Sequence, residues 1–548
     1  MLDGVVPFPA GLAARYRAKG YWEDRSLIDV FGEVFDRYAD RVAVIDDHTT
    51  VTYRQIDERS KLLARHLLDL GIRPLDRMVV QLPNTAQFVY LYFALQRIGA
   101  IPILALPVHR RRDVEQFVAL AGARACAVPA HARDFGFVDM VKLIMSDHPD
   151  LSLCLVQGLD PAAAEGPFVS LDALLEQEPS APESALDDIA IDPEDPAVFL
   201  LSGGTTGIPK LIPRTHNDYA YNSKLAASVC DFREGDVLLL VLPIEHNLPL
   251  ACPGMQGAFL EGATVVLSTS TRPRDVFERV QRHRVTHLHV VPALLILWIN
   301  DASASDYDLS SLHIVQSGGQ RLQPEVRQRA EALLPGCFIQ ENFGMAEGLI
   351  MFVRIDDPEE VRRETCGRPV CEDDEVYLVD EEGRPVPQGE VGELVVRGPY
   401  TLQGYFRSPE YNNRAFTHDG FYRSGDLLRM DRTGNYVVEG RRKDLINRGG
   451  EKISAEEVEN LILSHPSVLN VACVPYPDEV LGERMCACVV TKPGASLEFA
   501  ELVEFLEKMD IAKFKLPERL EILEDLPLSG FGKVSKKDLT AMLTTRSA

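Results

Sequence analysis

Residues 201–210 read LSGGTTGIPK and follow the apolar run AVFL at residues 197–200. A strand that runs into a glycine-rich turn lets several backbone N–H groups converge on one anion, and threonine hydroxyls and Lys210 add donors. The stretch differs from a Walker loop, because Ile208 and Pro209 separate Gly207 from Lys210 and Leu211 replaces the magnesium-binding hydroxyl. We expect a phosphate-binding loop of another kind; a purely structural turn is the alternative for this stretch taken alone.

Helix-like and strand-like segments alternate on both sides of this loop. Residues 51–72 change from a strand to an amphipathic helix, and buried-strand patterns recur at residues 78–84, 101–107, 237–244, 263–269, 287–292 and 313–319. Strands separated by helices form parallel sheets. Beyond Gly367 the alternation of a strand is broken by Glu-Gly and Gln-Gly turns, which indicates an antiparallel, barrel-like unit.

The predicted fold class is therefore α/β. A large N-terminal domain of two α/β parallel-sheet subdomains plus a β-barrel-like subdomain (residues 1–439) precedes a hinge at residues 440–444 and a small α+β C-terminal domain at residues 445–548. In the C-terminal domain, Ser454 is predicted to cap a helix with Glu457 at the capping-box position. Residues 157–196 are acidic and rich in alanine and proline, which predicts a surface linker or excursion.

Composition narrows the class of protein. The 548 residues include 57 Lys and Arg against 82 Asp and Glu, so the net charge of −25 argues against nucleic acid or an anionic membrane as a partner. The ten cysteines show no C-x-x-C spacing and predict reduced thiols, with Cys486 and Cys488 on one face of a strand. The N-terminus lacks the apolar core of a signal peptide, and no apolar stretch approaches the ~20 residues of a membrane span. These features predict a cytoplasmic protein.

The glycine-threonine stretch matches the pattern [ST]-G-G-T-T-G-x-P-K and resembles the adenylate-forming (ANL) superfamily of acyl-CoA synthetases, luciferases and adenylation domains. Further motifs resemble those of the superfamily in the expected order: ENFGMAEG (341–348), FYRSGDL (421–427), GRRKDLINRGGEKIS (440–454), PDEVLGERMCA (477–487) and LPLSGFGKVSKKDL (526–539). The resemblance covers almost the whole chain. It implies that a carboxylic acid attacks the α-phosphorus of ATP, giving an acyl-AMP and pyrophosphate.

The resemblance also implies which residues serve this chemistry. The implied ATP-binding residues are Ser202, Gly203, Gly204, Thr205, Thr206, Gly207, Lys210, Gly318, Gly319, Asn342, Phe343, Gly344, Met345, Ala346, Glu347, Asp426, Arg441 and Lys533. Among them, Glu347 would bind Mg²⁺, Phe343 would stack on adenine and Asp426 would accept from the ribose hydroxyls. Ala346 stands where relatives often have threonine. Lys533, Lys210 and His246 are the implied catalytic residues, and Lys443 is the implied hinge of a mobile C-terminal lid.

The segment HNLPLACPG (246–254) bears on the acid substrate. Amino-acid-activating relatives have an aspartate where this chain has Asn247, and a buried ammonium facing a neutral amide would lack its counter-ion. The pattern HN-x-x-x-[SC]-P-G resembles stand-alone aryl-acid ligases of siderophore pathways, which activate salicylate or 2,3-dihydroxybenzoate. The implied pocket residues are His246, Asn247, Cys252, Gly318 and Ile350.

Cys252 bears on the choice between these two acids. A serine here would pair with a 3-hydroxyl, whereas a thiol is bulkier and a weak donor, so salicylate is preferred; an ordinary buried thiol is the alternative. The implied second step is transfer of the aryl group to the phosphopantetheine thiol of an aryl carrier protein in trans. The alternatives are a 2,3-dihydroxybenzoate–AMP ligase, another acyl- or aryl-CoA synthetase, and a non-catalytic binding module that has kept the fold.

Overall fold

The computed structural model describes residues 1–132, 135–202, 210–449, 451–478, 480–509, 511–530 and 532–546. The helices alternate with strands through most of this length. They are α1 (Ala10–Ala18), α2 (Leu27–Arg37), α3 (Tyr53–Asp69), α4 (Ala86–Arg97), α5 (Arg111–Ala121), α6 (Phe137–Asp147), α7 (Leu171–Leu174), α8 (His216–Ser228), α9 (Asn247–Ala251), α10 (Gly254–Leu260), α11 (Pro273–His283), α12 (Pro292–Ile299), α13 (Pro324–Leu333), α14 (Glu359–Glu364), α15 (Pro409–Ala415), α16 (Ala455–Leu463), α17 (Phe499–Lys508) and α18 (Lys536–Arg546).

The strands are mostly short and buried in the first two thirds of the chain. Up to residue 317 they are β1 (Val42–Ile45), β2 (Thr50–Thr52), β3 (Arg77–Val80), β4 (Ile101–Leu104), β5 (Ala125–Pro129), β6 (His131–Ala132), β7 (Phe135–Gly136), β8 (Leu153–Gln157), β9 (Phe168–Ser170), β10 (Pro196–Leu201), β11 (Leu211–Thr215), β12 (Val237–Leu240), β13 (Thr264–Leu267), β14 (His287–Val290) and β15 (Ile314–Ser317). They continue with β16 (Phe338–Met345), β17 (Gly348–Phe352), β18 (Arg368–Pro369), β19 (Glu375–Val379), β20 (Val391–Arg397), β21 (Tyr422–Met430), β22 (Tyr436–Arg441), β23 (Leu445–Arg448), β24 (Glu451–Ser454), β25 (Val468–Asp478), β26 (Gly482–Thr491) and β27 (Arg519–Ile522).

Two large sheets carry the N-terminal part. The first has the order β18-β17-β16-β15-β14-β12-β13-β1-β2 and the second β11-β10-β4-β3-β5-β8-β9. The inner pairings of both sheets are parallel, as the alternating pattern predicts. Antiparallel strands lie at both ends of the first sheet and at the β11 end of the second. Helix α4 (AQFVYLYFALQR) is apolar around most of its circumference, and its buried side chains join a core that also includes strands of both sheets.

The segment at residues 157–196 is more than a surface linker, and this prediction was wrong in part. Residues Phe168–Ser170 form β9, which pairs in parallel with β8 at the end of the second sheet. Leu171, Leu174 and Leu175 behind it are buried in the main core. The acidic composition concealed this short strand, because only a few apolar residues are needed to extend a sheet by one edge strand.

The last third changes to antiparallel pairing, as predicted. Strands β19-β20-β21-β22 form a four-stranded sheet, and in the part of the chain that the structure describes their path is open rather than a closed barrel. From residue 445 onward, β24-β23-β26-β25 and β27 form a further sheet, with buried clusters on its two sides drawn from residues 446–506 and 472–543. Cys486 and Cys488 belong to the same cluster and therefore share a face, as predicted.

The structure also bears on the predicted helix cap, on the cysteines and on membrane-spanning helices. The Ser454 hydroxyl accepts from the Glu457 backbone N–H and caps α16, but the Glu457 carboxylate pairs with Lys515 at 2.6 Å, so only half of the expected capping box is in place. The ten cysteines, which all lie within the described residues, form no disulfide. Among the described residues, no helix combines the length and the apolar character that crossing a bilayer requires.

Candidate active site

The predicted site residues lie where parallel strands of both large sheets end. Ser202 follows β10, His246 and Asn247 follow β12 by a short loop, Gly318 directly follows β15, and Glu347 follows β16. Ligands of α/β proteins bind at this carboxyl edge of the sheet, because the loops that follow the strands converge there. The predicted phosphate-loop residues Gly203, Gly204, Thr205, Thr206 and Gly207 lie outside the described residues.

The two ends of that loop are hydrogen-bonded to each other. The Ser202 N–H donates to the Lys210 carbonyl at 3.0 Å, and the Lys210 N–H donates to the Ser202 hydroxyl at 3.2 Å. The Lys210 ammonium lies 4.0 Å from the centre of the Tyr411 ring, and burial lowers its pKa despite the nearby Glu347 carboxylate. The base of the loop thus presents a partly desolvated cation toward Glu347.

Glu347 is oriented by two buried tyrosines. The Tyr405 hydroxyl donates to Glu347 Oε1 at 2.7 Å and lies 2.9 Å from the Tyr422 hydroxyl. This contact leaves the second carboxylate oxygen for another ligand. Described residues contain no group of three His, Cys, Asp or Glu that could hold a metal. A single carboxylate that shares Mg²⁺ with substrate phosphates does fit this arrangement, because Mg²⁺ commonly takes one or two carboxylates plus phosphate oxygens.

Asp426 and Arg441 face each other across the β21–β22 ladder. They are direct register partners, and the Arg441 Nε–H donates to Asp426 Oδ1 at 2.7 Å. Asp426 is buried, and its charge raises the pKa of the Arg441 guanidinium. Because one oxygen of Asp426 is engaged, the other is placed to accept from a diol such as a ribose.

Strand β16 and the turn that follows the neighbouring strand β15 lie together in the site. A Cβ at Gly318 would lie 2.0 Å from Asn342 Oδ1, so no larger residue fits there without moving Asn342. Gly319 has φ +87°, which favours glycine. Phe343 is half-buried, Met345 and Ala346 follow it at the end of the strand, and the Ala346 carbonyl accepts from Arg214 at 3.1 Å.

The segment that contains Lys533 packs against residues that follow β4 and β14. Gly530 lies so close to Val108 that a Cβ would be 2.1 Å from its Cγ2, and Gly532 packs near Val291. Between them and α18, Lys533 has Arg441, Asp426, Glu347 and Lys443 as charged neighbours. Burial, followed by repulsion from Arg441, lowers the pKa of Lys533 to about 8. The resemblance also implies that Lys533 meets the glycine-threonine loop, whose residues 203–209 lie outside the described residues, so that meeting stays a prediction.

Lys443 and His246 also lie near Lys533. Lys443 lies in the 3₁₀ turn Arg442–Asp444, and burial together with Arg441 lowers its pKa. His246 caps α9, where its Nδ1 accepts from the Leu248 N–H at 3.3 Å. Burial, and then the nearby Lys533 charge, hold the pKa of His246 well below its ordinary value, so its imidazole is neutral. The four cations Lys210, Arg441, Lys443 and Lys533 therefore outnumber the three carboxylates Glu347, Asp426 and Asp444, which suits a polyanion.

The predicted acyl pocket is a buried hydrogen-bonded network. The Tyr219 hydroxyl donates to Asn247 Oδ1 at 2.9 Å, and the Asn247 and Asn222 amides lie 3.3 and 3.4 Å from Cys252 Sγ. Cys252 is 4% exposed, and burial raises its pKa, so the thiol is neutral. Ile350 is buried on β17, where it is the register partner of Gly344 on β16.

Sequence reasoning missed the residues behind this pocket. Helix α8 supplies Tyr219 and Asn222, and its start is fixed by the reciprocal capping box of Thr215 and Asp218. The fully buried Arg214 donates to Asp218 at 2.7 Å and to Asn222 at 3.4 Å, with its guanidinium 4.8 Å from the Tyr219 ring. The available signal was an Arg and an Asp four residues apart beside an apolar strand, which suggests a pair rather than two solvated charges.

Family models match most of the chain. The model described as AMP-binding enzyme matches residues 31–406, and that described as AMP-binding enzyme C-terminal domain matches residues 457–533.

Individual relatives match over nearly the full length. A salicylyl-CoA synthase / salicylate adenylyltransferase of Streptomyces sp is 46% identical over 98% of this chain and 97% of the relative. A salicyl-AMP ligase / salicyl-S-ArCP synthetase of Mycobacterium tuberculosis is 44% identical over 99% and 95%. A 2,3-dihydroxybenzoate-AMP ligase of Bacillus subtilis is 42% identical over 100% and 99%. Among solved structures, apo MbtA of Mycobacterium smegmatis is 43% identical, covers 98% of both chains and superposes with a TM-score of 0.75.

Proposed function

This chain belongs to the family of AMP-binding enzymes, and from that premise we propose that it activates an aryl carboxylic acid, salicylate in preference, as aryl-AMP. ATP is the co-substrate and pyrophosphate the first product. The observation that carries the proposal is the excess of cationic side chains that Lys533, from the far end of the chain, completes beside Glu347 and Asp426. Asn247, the residue after the His246 that lies near Lys533, supplies a neutral amide rather than a carboxylate for the acid substrate.

Adenylation requires two anions to meet. The acid carboxylate attacks the α-phosphorus, the bond to the β-phosphate oxygen breaks, and negative charge grows on the α-phosphoryl oxygens. Lys533 and Lys210 would neutralise that charge, and a half-buried site makes their attraction stronger than in water. Asp426 would fix the ribose, and Glu347 would hold Mg²⁺, which supplies charge neutralisation at the phosphates. Neutral His246 would border the acid without competing for its carboxylate.

The pocket supports an acid that lacks an α-ammonium. Asp218, the carboxylate behind the pocket, is already engaged by Arg214 and by the Thr215 N–H at 2.6 Å. An ammonium facing the Asn247 amide would therefore lack a counter-ion. Cys252 accepts from two amides and is a weak donor, so the 3-hydroxyl of 2,3-dihydroxybenzoate would be poorly paired there. The 44% and 46% identical relatives named for salicylate support the same choice.

We propose transfer to the phosphopantetheine thiol of an aryl carrier protein in trans as the second step, in a siderophore pathway. The name of the Mycobacterium tuberculosis relative supports a carrier acceptor, whereas that of the Streptomyces relative favours coenzyme A. Residues 1–439 would form the core domain, 440–444 the hinge and 445–548 the lid. In relatives the C-terminal domain rotates about the hinge after adenylation, and the loop that matches residues 449–452 here replaces the lysine that matches Lys533. Lys452 of this loop is instead paired with Glu381, which supports an arrangement suited to adenylation. ATP as co-substrate favours the cytoplasm.

The test is ATP–pyrophosphate exchange with a panel of salicylate, 2,3-dihydroxybenzoate, benzoate and amino acids. We expect the highest kcat/KM with salicylate, and we expect Cys252→Ser to shift the preference toward the dihydroxy acid by about tenfold, the worth of one hydrogen bond. A wild type that prefers the dihydroxy acid would overturn the assignment of substrate.

Pyrophosphate exchange with none of these acids would overturn the proposed activity. Thioester formation with a holo aryl carrier protein, compared with coenzyme A, identifies the acceptor.

A further inference from the structure

The orientation of the Asn247 amide decides what the acyl pocket can recognise. Its Oδ1 accepts from the Tyr219 hydroxyl at 2.9 Å, and its Nδ2 donates to Cys252 Sγ at 3.3 Å. An amide nitrogen carries two hydrogens, so one N–H remains for a ligand. In this orientation the amide offers the ligand a donor.

Ortho-substituted benzoates differ in what they present to that donor. In salicylate the 2-hydroxyl hydrogen bonds internally to the carboxylate, so the phenolic oxygen faces outward as an acceptor. In 2-aminobenzoate one N–H makes the internal bond and the second N–H faces outward as a donor, while the nitrogen lone pair is delocalised into the ring. The free Asn247 N–H therefore pairs with the phenolic oxygen of salicylate, but it faces another N–H donor in 2-aminobenzoate.

The neighbours of Tyr219 keep its hydroxyl directed at Asn247. The side chain is fully buried, its ring packs 4.8 Å from the Arg214 guanidinium, and Arg214 is itself held by Asp218 at 2.7 Å. If the Asn247 amide turned over, its NH₂ would face the Tyr219 O–H, and the buried hydroxyl hydrogen would lose its acceptor. Cys252 Sγ, which accepts from both Asn247 and Asn222, would also lose one of its donors.

We propose that Tyr219 is a positioning residue that fixes the Asn247 amide with its NH₂ toward the acyl pocket and thereby selects an ortho-hydroxy over an ortho-amino aryl acid. The proposal rests on the proposed aryl-acid activation. The proposal gives α8 a part in substrate choice. The nitrogen that contacts the substrate belongs to Asn247, but its orientation is set by Tyr219 on α8, 28 residues earlier in the chain.

Tyr219→Phe tests the proposal, because it removes only the hydroxyl and retains the ring over Arg214. Pyrophosphate exchange is measured with salicylate and 2-aminobenzoate, and the readout is the ratio of their kcat/KM values. We expect the variant's ratio to fall by about tenfold or more, with the KM for ATP unchanged. Tyr92→Phe is the matched control: Tyr92 is equally buried, and its hydroxyl accepts from Gln256 at 2.7 Å.

A double-mutant cycle separates positioning from general damage. If Tyr219 acts through Asn247, adding Tyr219→Phe to Asn247→Ala leaves the ratio unchanged. The proposal is overturned if Tyr219→Phe does not lower the ratio of kcat/KM values. It is also overturned if Tyr219→Phe lowers the ratio equally when Asn247 is alanine, or if Tyr92→Phe lowers it as much as Tyr219→Phe does. Wild-type enzyme alone also tests it, because equal kcat/KM for the two acids overturns it even if a variant does not fold. Activity with no aryl acid overturns the proposed function and this inference together; activity with salicylate but an unchanged ratio overturns the inference alone.

Discussion

Lys533 provides a pH test of the whole site. Burial, followed by repulsion from Arg441, lowers the pKa of its ammonium from 10.5 to about 8. At 1.36 kcal/mol per pH unit, this difference corresponds to about 3 kcal/mol of unfavourable free energy for the charged lysine in the ATP-free protein. Because the pKa in the folded protein lies below the ordinary value, the ammonium is present below a pH of about 8 and is lost as the pH rises through it.

The assay is the initial rate of pyrophosphate release at saturating aryl acid, from about pH 6.5 to about pH 10. The kcat/KM for ATP reports the groups of the ATP-free enzyme, so we expect it to fall about tenfold per pH unit above pH 8. The kcat value reports the ATP complex, in which the triphosphate is an added counter-charge that raises the pKa of Lys533. We therefore expect kcat to remain level to a higher pH than kcat/KM.

Two variants complete this test. Lys533→Arg keeps its charge throughout the range, so its kcat/KM should be lower but should lose the inflection near pH 8. Lys537→Arg, at an exposed lysine four residues further along in α18, should retain the inflection. A flat wild-type profile, or an inflection that survives in Lys533→Arg, would refute the placement of Lys533 beside the reacting phosphate.

Further predictions address other parts of the site. Lys443→Pro should leave pyrophosphate exchange within a few-fold of wild type and abolish thioester formation, because it stiffens the proposed hinge; equal loss of both steps would contradict it. Tyr405→Phe removes the donor that orients Glu347, so the Mg²⁺ concentration for half-maximal exchange should rise by roughly fivefold to tenfold, and an unchanged Mg²⁺ titration would contradict this role. Gly318→Ala should raise the KM for ATP at least about tenfold, because its methyl group would displace Asn342; a melting curve like that of wild type would exclude general unfolding.

Local patterns in the sequence were sufficient for most of the fold. The alternation of buried strands with amphipathic helices predicted the parallel sheets, and the change after Gly367 predicted the antiparallel one, because side-chain periodicity reports which face of an element is buried. Strand β9 was missed, since three residues in an acidic segment carry too little periodicity. The predicted positions of Lys533, Asp426 and Glu347 in one cluster came from the resemblance of motifs, and their roles stay predictions.

The sequence by itself determined which chemical groups are present: a glycine-threonine loop with Lys210, a lysine near the C-terminus at Lys533, and an uncharged Asn247 in the same short segment as Cys252. Only the tertiary structure decided how these groups are oriented. The amide of Asn247 is set by Tyr219, and Cys252 is bracketed by Asn222 from the same helix. These contacts join residues that are 28 and 30 positions apart in the chain. They depend on the packing of α8, whose first turn is held by the buried Arg214–Asp218 pair. A hydrogen bond depends on distance and direction in space, and neither is encoded in the local periodicity of the chain.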